Sequence, residues 1–399
     1  MNLSRAIPLW VTGTLTPVPA AAALLVPERL GLNAGTIGPS TPAPPKTASR
    51  VGGNSGAHAV TGQADVQQRA LSHWQAKKLA MIELTKPGIT RMVLVTAVVG
   101  FVLGIFGSSA PLWMIAISFA SCMVGTALSA SGANALNQWW EGARDGLMER
   151  TRGRPIPSGR LHRDTALLIG LGCSIAGVGI LLLGSGLAAA LVSLATILSY
   201  VLIYTPMKVR SPLATLVGAV PGALPPLIGW CAARTVGTGW GGGEGGAGAG
   251  LVGANALSPL AEAGGWALFT LMFVWQLPHF LAIAWMYKDD YAKGGHAVLP
   301  VFDATGRLTA WCVLITAMLL VPVSVLPMLA CSDRLGCVSA TVAGCVSIVF
   351  AAACLPMLRE SKAGSISRAT AKRVFLASIL HLPLVLLALV GETVTRMVL

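Results

Sequence analysis

An all-α polytopic membrane bundle of about nine transmembrane helices is the fold that this sequence predicts, and three observations predict it. Only 11% of the 399 residues are charged against 54% hydrophobic, with mean hydropathy +0.71, whereas soluble domains carry roughly a quarter charged residues. The apolar stretches recur at lengths near the ~20 residues that cross a bilayer core. The basic residues, source of the +13 net charge, cluster in short segments between those stretches. That distribution follows the positive-inside rule of membrane proteins, so the bilayer and not nucleic acid is the partner the charge implies.

Residues 1–80 read as a separate tail, rich in Ala, Pro, Gly, Ser and Thr, with acidic residues only at Glu28 and Asp65. The apolar run Pro17–Val26 is short and broken by proline, so it is neither a span nor a clean signal peptide. The tail's composition fits a disordered segment or a transit peptide. The stretch Ser72–Arg91, with Trp74, Lys77, Lys78 and Lys86, reads as an interfacial lead-in to a membrane domain at 81–399. Apolar runs then place spans near 92–108, 112–136, 165–184, 187–205, 213–232, 264–287, 308–330, 338–357 and 374–392.

The loops set the orientation. Arg144, Arg150, Arg152, Arg154, Arg160 and Arg163 follow span two, and Lys208 and Arg210 follow span four. Lys288, Lys293 and Arg307 follow span six; Arg359, Lys362, Arg368, Lys372 and Arg373 follow span eight. The opposite loops hold only Arg234, Arg334 and Arg396. Even-to-odd loops and the N-terminus are thereby expected on the cytoplasmic side of a cell inner membrane, or the matrix side of a mitochondrial inner membrane. The external loop 233–263 is glycine-rich and reads as a flexible insert. Six cysteines (Cys122, Cys173, Cys231, Cys312, Cys345, Cys354) lie in apolar segments as packing residues, while Cys331 and Cys337 flank a short loop and would pair only in an oxidising compartment.

Three constellations carry chemistry. At the end of span two, Asn137, Glu141 and Asp145 are spaced four apart and line one helix face. Stacked oxygen ligands suit Mg²⁺, and the following Arg150, Arg152 and Arg154 suit phosphate oxygens. Salt bridges at a solvated helix end are the plainer reading of the same residues. After span four comes Tyr204-Thr-Pro-Met-Lys208-Val-Arg210. Span five follows with Gly218, Pro221, Gly222, Pro225, Pro226 and Gly229, and so many breakers point to a cavity-lining helix, close helix packing being the alternative. Span six carries Trp275-Gln276-Leu-Pro278-His279-Phe280 and ends in Lys288-Asp289-Asp290-Tyr291. Polar groups inside a membrane segment are expensive and usually functional; His279 reads equally as a heme-iron or substrate contact and as a buried histidine satisfied by a neighbouring helix.

This array resembles the UbiA superfamily of membrane prenyltransferases over about residues 80–392, and within it the heme O synthases (protoheme IX farnesyltransferases). The residues that carry the likeness are Asn137…Asp145-x-x-Met148-x-Arg150-Thr151-x-x-Arg154-Pro155, Tyr204-Thr-Pro-Met-Lys208 with Val217–Trp230, and Trp275–Phe280 with Lys288–Tyr291. Two departures stand out: Glu141 replaces the more frequent Asp, and Lys-Asp-Asp-Tyr replaces two Asp four residues apart, which leaves open whether Asp289 or Asp290 touches metal.

The resemblance implies transfer of farnesyl from farnesyl diphosphate to a vinyl group of protoheme IX, making heme O for oxidase assembly, with heme A synthase as a possible neighbour in that process. It implies Mg²⁺ on Asn137, Glu141, Asp145, Asp289 and Asp290. Arg150, Arg154, Lys208, Arg210 and Lys288 would bind diphosphate, and His279, Gln276 and Tyr204 would line the acceptor pocket. An aromatic or quinone prenyltransferase would share the diphosphate site and differ in acceptor. A transporter is the reading from another class, but transporters place their sites at the midplane, and these carboxylates gather at one membrane face.

Overall fold

Nine helices long and apolar enough to cross a membrane follow one another among the described residues. They are Pro87–Ile105, Leu112–Asp145, Arg163–Ser185, Leu187–Met207, Ala214–Val236, Ala263–Met286, Arg307–Ala330, Cys337–Lys362 and Arg368–Val398, here called spans one to nine. The computed structural model describes Ser72, residues 74–239 and residues 255–399. The expectations for residues before Ser72, and for the glycine-rich part of the 233–263 loop, lie outside the described residues. A further helix over 74–84 precedes span one, and its Ala80 and Leu84 are buried against Ala135, Leu161 and Ala166.

The spans match the apolar runs, and their departures are informative. Span two has 34 residues, about 50 Å at 1.5 Å per residue, against a hydrocarbon core of about 30 Å. One end must therefore project from the core, and that end carries Glu141 and Asp145. Span four does not stay regular either: after Leu198 the chain widens into a π turn over Ser199–Tyr204 before Thr205–Met207. The Thr205 N–H reaches back to the Tyr200 carbonyl, a five-residue step that carries the chain into Pro206, which has no N–H to donate.

Span five is two helices, Ala214–Ala223 and Pro225–Gly239, and it is the most buried of the nine. Its glycines do not open onto a cavity. A Cβ at Gly229 would collide with the Ala97 carbonyl, one at Gly218 with the Tyr204 ring, and one at Gly222 with the Gln276 amide. Gly100 of span one faces the Pro226 carbonyl in the same way. The cavity-lining expectation thus gives way to close packing through small residues. Spans two and three repeat the device, Gly132 against Ser174 and Gly177 against Ser129.

The loops sort as their charge predicts. At one end the loops after spans two, four and six are joined: Asp290 Oδ1 accepts from the Glu149 N–H at 2.8 Å, and the Ala297 N–H donates to the Lys208 carbonyl at 2.7 Å. The loop after span eight joins them, its Ile366 carbonyl accepting from Trp285 Nε1 at 3.0 Å. At the other end Arg334 donates to the Leu103 carbonyl at 2.7 Å and lies over the Phe106 and Trp230 rings. Cys331 and Cys337 are both free, the first buried and the second exposed.

The packing makes a testable distinction between glycines. Gly229→Ala is expected to destabilise the bundle by about 1–3 kcal/mol, the usual range for overpacking a core. Gly344→Ala, where nothing lies within 4 Å of the new Cβ, should leave the thermal midpoint of the detergent-purified protein unchanged or slightly raised.

Candidate active site

The span-two stripe is buried: Asn137 and Asp145 are 1% exposed and Glu141 4%. Carboxylates at that depth need partners, and each has one from another element. Lys208 Nζ lies 3.0 Å from Glu141 Oε1 and donates to Oε2 at 3.1 Å. Arg154 Nη1 donates to both Asp145 oxygens, at 2.8 and 2.7 Å. Asn137 Nδ2 donates to Glu141 Oε2 at 2.9 Å and to Thr205 Oγ1 at 3.1 Å, tying the stripe to the widened turn of span four. Arg154 returns to Asp145 because the chain turns tightly after span two, with Thr151 Oγ1 donating to the Asp145 carbonyl at 2.8 Å.

A third basic side chain enters from the interfacial lead-in before span one. Lys86 Nζ donates to Asn137 Oδ1 at 3.2 Å. Its φ of 47° makes it the sole non-glycine residue with positive φ among those described, a strained state on the order of 1–3 kcal/mol. Span two holds the preceding backbone in place: Gln138 Nε2 donates to the Leu84 carbonyl at 2.7 Å and Asn134 Nδ2 to that of Thr85 at 3.5 Å. Burial, with Arg154 and Lys208 adding to it, pushes the Lys86 ammonium down to about 7. Burial also opposes the Lys208 charge, yet Tyr204 and Glu141 outweigh it and hold that ammonium above its ordinary range. Arg154 and Lys208 balance the two carboxylates, and Lys86 adds a positive charge when its amine takes a proton, a state that an incoming anion would favour.

The remaining candidates are placed as follows. The Tyr204 ring packs against that of Tyr200 at a 39° tilt, and its centre lies 4.5 Å from Lys208 Nζ, which puts it at the charged cluster. Asp290 is spent on backbone, accepting from Glu149 and Arg150 N–H groups. Asp289 is exposed and has no hydrogen bond or ion pair. The Arg150 guanidinium sits 5.5 Å from the Tyr287 and Tyr291 ring centres, and Lys288 sits 4.4 Å from that of Trp285. Arg210 is exposed, its guanidinium without a partner. Among the described residues no three His, Cys, Asp or Glu side chains gather as a metal site.

His296, which no sequence motif marks, is 5% exposed with an unpartnered Nδ1. Burial holds its pKa below the ordinary histidine range although Glu141 works the other way. Gln276 and His279 diverge by about 60° around span six at 3.6 residues per turn. Gln276 donates to the Met272 carbonyl at 3.1 Å and, weakly, to that of Ala219 in span five at 3.4 Å, whereas His279 meets Ser378 of span nine.

Comparison with known proteins gives this geometry its setting. The profile of the UbiA prenyltransferase family matches residues 93–379. The chain belongs to that family. A protein named protoheme IX farnesyltransferase from Solibacter usitatus is 39% identical over 311 residues, covering 76% of this chain and 95% of the relative. One of the same name from Rhodopirellula baltica is 38% identical, covering 77% and 98%. A solved digeranylgeranylglyceryl phosphate synthase shares the UbiA fold at TM-score 0.60 and 16% identity, covering 80% of this chain and 99% of that one. A UbiA homologue from Archaeoglobus fulgidus, solved with GPP and Mg²⁺, does so at TM-score 0.51 and 15% identity, covering 80% and 100%. This UbiA-family chain is therefore a multi-pass membrane prenyltransferase.

The buried pair on span two carries a stability prediction. Arg154→Leu leaves the Asp145 carboxylate unpaired and is expected to lose about 3–5 kcal/mol. Arg154→Leu combined with Asp145→Leu should recover most of that loss in a thermal unfolding series, because no uncompensated charge remains.

Proposed function

We propose that this protein transfers the farnesyl group of farnesyl diphosphate to a vinyl group of protoheme IX, giving heme O. The observation that carries the reading is the buried cluster of Lys86, Arg154 and Lys208 around Glu141 and Asp145; the names of the relatives support the acceptor. The allylic C–O bond breaks with its electron pair leaving on diphosphate, and Arg154, Lys208 and a protonated Lys86 would stabilise that growing charge. The vinyl π electrons form the new C–C bond, water adds to the resulting cation, and a proton is released. An apolar bundle keeps water from the farnesyl cation until the vinyl carbon attacks.

The donor chemistry suits a hard divalent cation, because Glu141, Asp145 and Asn137 offer carboxylate and amide oxygens along one helix face; in this structure Lys208, Arg154 and Lys86 hold those oxygens, so a metal would take them over from the three side chains. Glu141, Asp145, Asn137 Oδ1 and, from the opposite loop, Asp289 are the residues that would hold Mg²⁺, which when bound neutralises leaving diphosphate. Asp290 serves instead to clamp the two loops together. Lys208 and Lys86 bind the diphosphate oxygens, with Tyr204 orienting Lys208. The positive-inside distribution supports a cell inner membrane with these loops cytoplasmic, and the product's onward oxidation is the chemistry a heme A synthase partner would perform.

Two measurements test this. Membranes containing the protein, supplied with protoheme IX and farnesyl diphosphate, should yield heme O by mass; product with 4-hydroxybenzoate and none with protoheme would replace the acceptor. Lys86→Met and Lys208→Met should each weaken farnesyl diphosphate binding on the order of 10- to 100-fold, the worth of a hydrogen bond to a charged group.

A further inference from the structure

Away from the charged cluster, span six carries Trp275 and His279 one turn apart, and one residue of span nine holds both. Trp275 Nε1 donates to the Ser378 carbonyl at 2.9 Å, and His279 Nδ1 lies 2.8 Å from Ser378 Oγ. The Ser378 hydroxyl has a single proton, which it donates to the Phe375 carbonyl at 2.6 Å. Its oxygen therefore accepts from His279, so Nδ1 carries the imidazole proton and Nε2 keeps a free lone pair. Flat apolar groups surround the ring: Trp275 stacks on it at 4.8 Å and 23°, with Phe375 at 5.1 Å and Phe280 at 5.6 Å.

A neutral imidazole with its far nitrogen bonded to an acceptor is the arrangement in which histidine ligates metal, and a proximal histidine is a frequent ligand of heme iron. We propose that His279 Nε2 ligates the iron of the protoheme substrate and that Ser378 is the positioning residue that fixes its tautomer and ring orientation. The inference rests on the reading that protoheme is the acceptor. Ten residues separate His279 from Asp289, about 15 Å along a helix, so the porphyrin lies deeper than the diphosphate.

His381, also on span nine, provides an internal contrast. Its Nε2 meets Ser347 Oγ at 2.9 Å by the same logic, because Ser347 donates to the Ala343 carbonyl at 2.7 Å. Yet it is 1% exposed and its Nδ1 is closed in, leaving no approach for a porphyrin.

The test uses the purified full chain titrated with ferric protoheme, read by absorption and electron paramagnetic resonance, with farnesyl diphosphate affinity and thermal midpoint measured alongside. The wild type should show a histidine-ligated iron. His279→Ala should lose that signature and regain it with added imidazole, and His279→Met, which keeps a ligand of different kind, should shift it. Ser378→Ala should weaken heme binding roughly tenfold or more, Ser378→Thr should restore it, and His381→Ala should leave the spectrum alone. Farnesyl diphosphate affinity should hold throughout. A wild type that makes heme O while His279→Ala keeps the same iron spectrum overturns the ligation alone. Loss of both substrates together with a lowered midpoint assigns the cluster to packing and also overturns it. A wild type that never prenylates protoheme removes the functional reading beneath it.

Discussion

The ion pair between Glu141 and Lys208 is the constraint from which the arrangement of this bundle's active end follows. A carboxylate 4% exposed at the mouth of a membrane bundle cannot stand alone, because an unpaired buried charge costs several kcal/mol. Its partner arrives from the loop after span four, and so the ends of spans two and four must meet. Asp145 sets the same demand locally, and the chain answers it by turning Arg154 back within nine residues. The loop after span six is then drawn in through Asp290 and through the Ala297–Lys208 backbone bond. One charged cluster thereby fixes the relative height of three spans.

Close packing elsewhere makes that cluster reachable. Gly100 and Gly229 let the backbones of spans one and five touch, and span one begins at Lys86, whose left-handed backbone sends its side chain to Asn137. The strain is local and the restraints on it come from Gln138 and Asn134, neighbours of the stripe itself. Strained backbone held by surrounding structure is a recurring property of functional sites. Here it brings a third basic side chain, Lys86, to a pair of ion pairs, which a neutralised helix end would not need.

The spans were legible because bilayer thickness imposes a length on every apolar run, and loop sides because basic residues collect on one face. The Asn137–Glu141–Asp145 stripe was legible from spacing alone, since four residues return a helix to the same face. Lys86 was not, because its direction depends on a backbone conformation that composition does not encode. His296 was hidden in a loop whose path is set by contacts to Tyr291 and Lys208. The glycines of span five looked like breaks around a cavity; which neighbour fills a glycine's empty Cβ position is a tertiary fact. Asp289 and Asp290 are adjacent in sequence, and only the backbone bonds of Glu149 and Arg150 separate a clamp from a free carboxylate.

In the proposed mechanism Lys208 holds Glu141 until Mg²⁺ and diphosphate divide the pair between them. Binding of a non-hydrolysable farnesyl diphosphate analogue to Glu141→Gln, measured with and without Mg²⁺, tests that exchange most directly. Without the metal, freeing Lys208 should make the variant bind the analogue more tightly than the wild type. With the metal, losing a carboxylate ligand should make it bind more weakly. A variant that changes affinity in the same direction under both conditions, or in neither, would contradict the account.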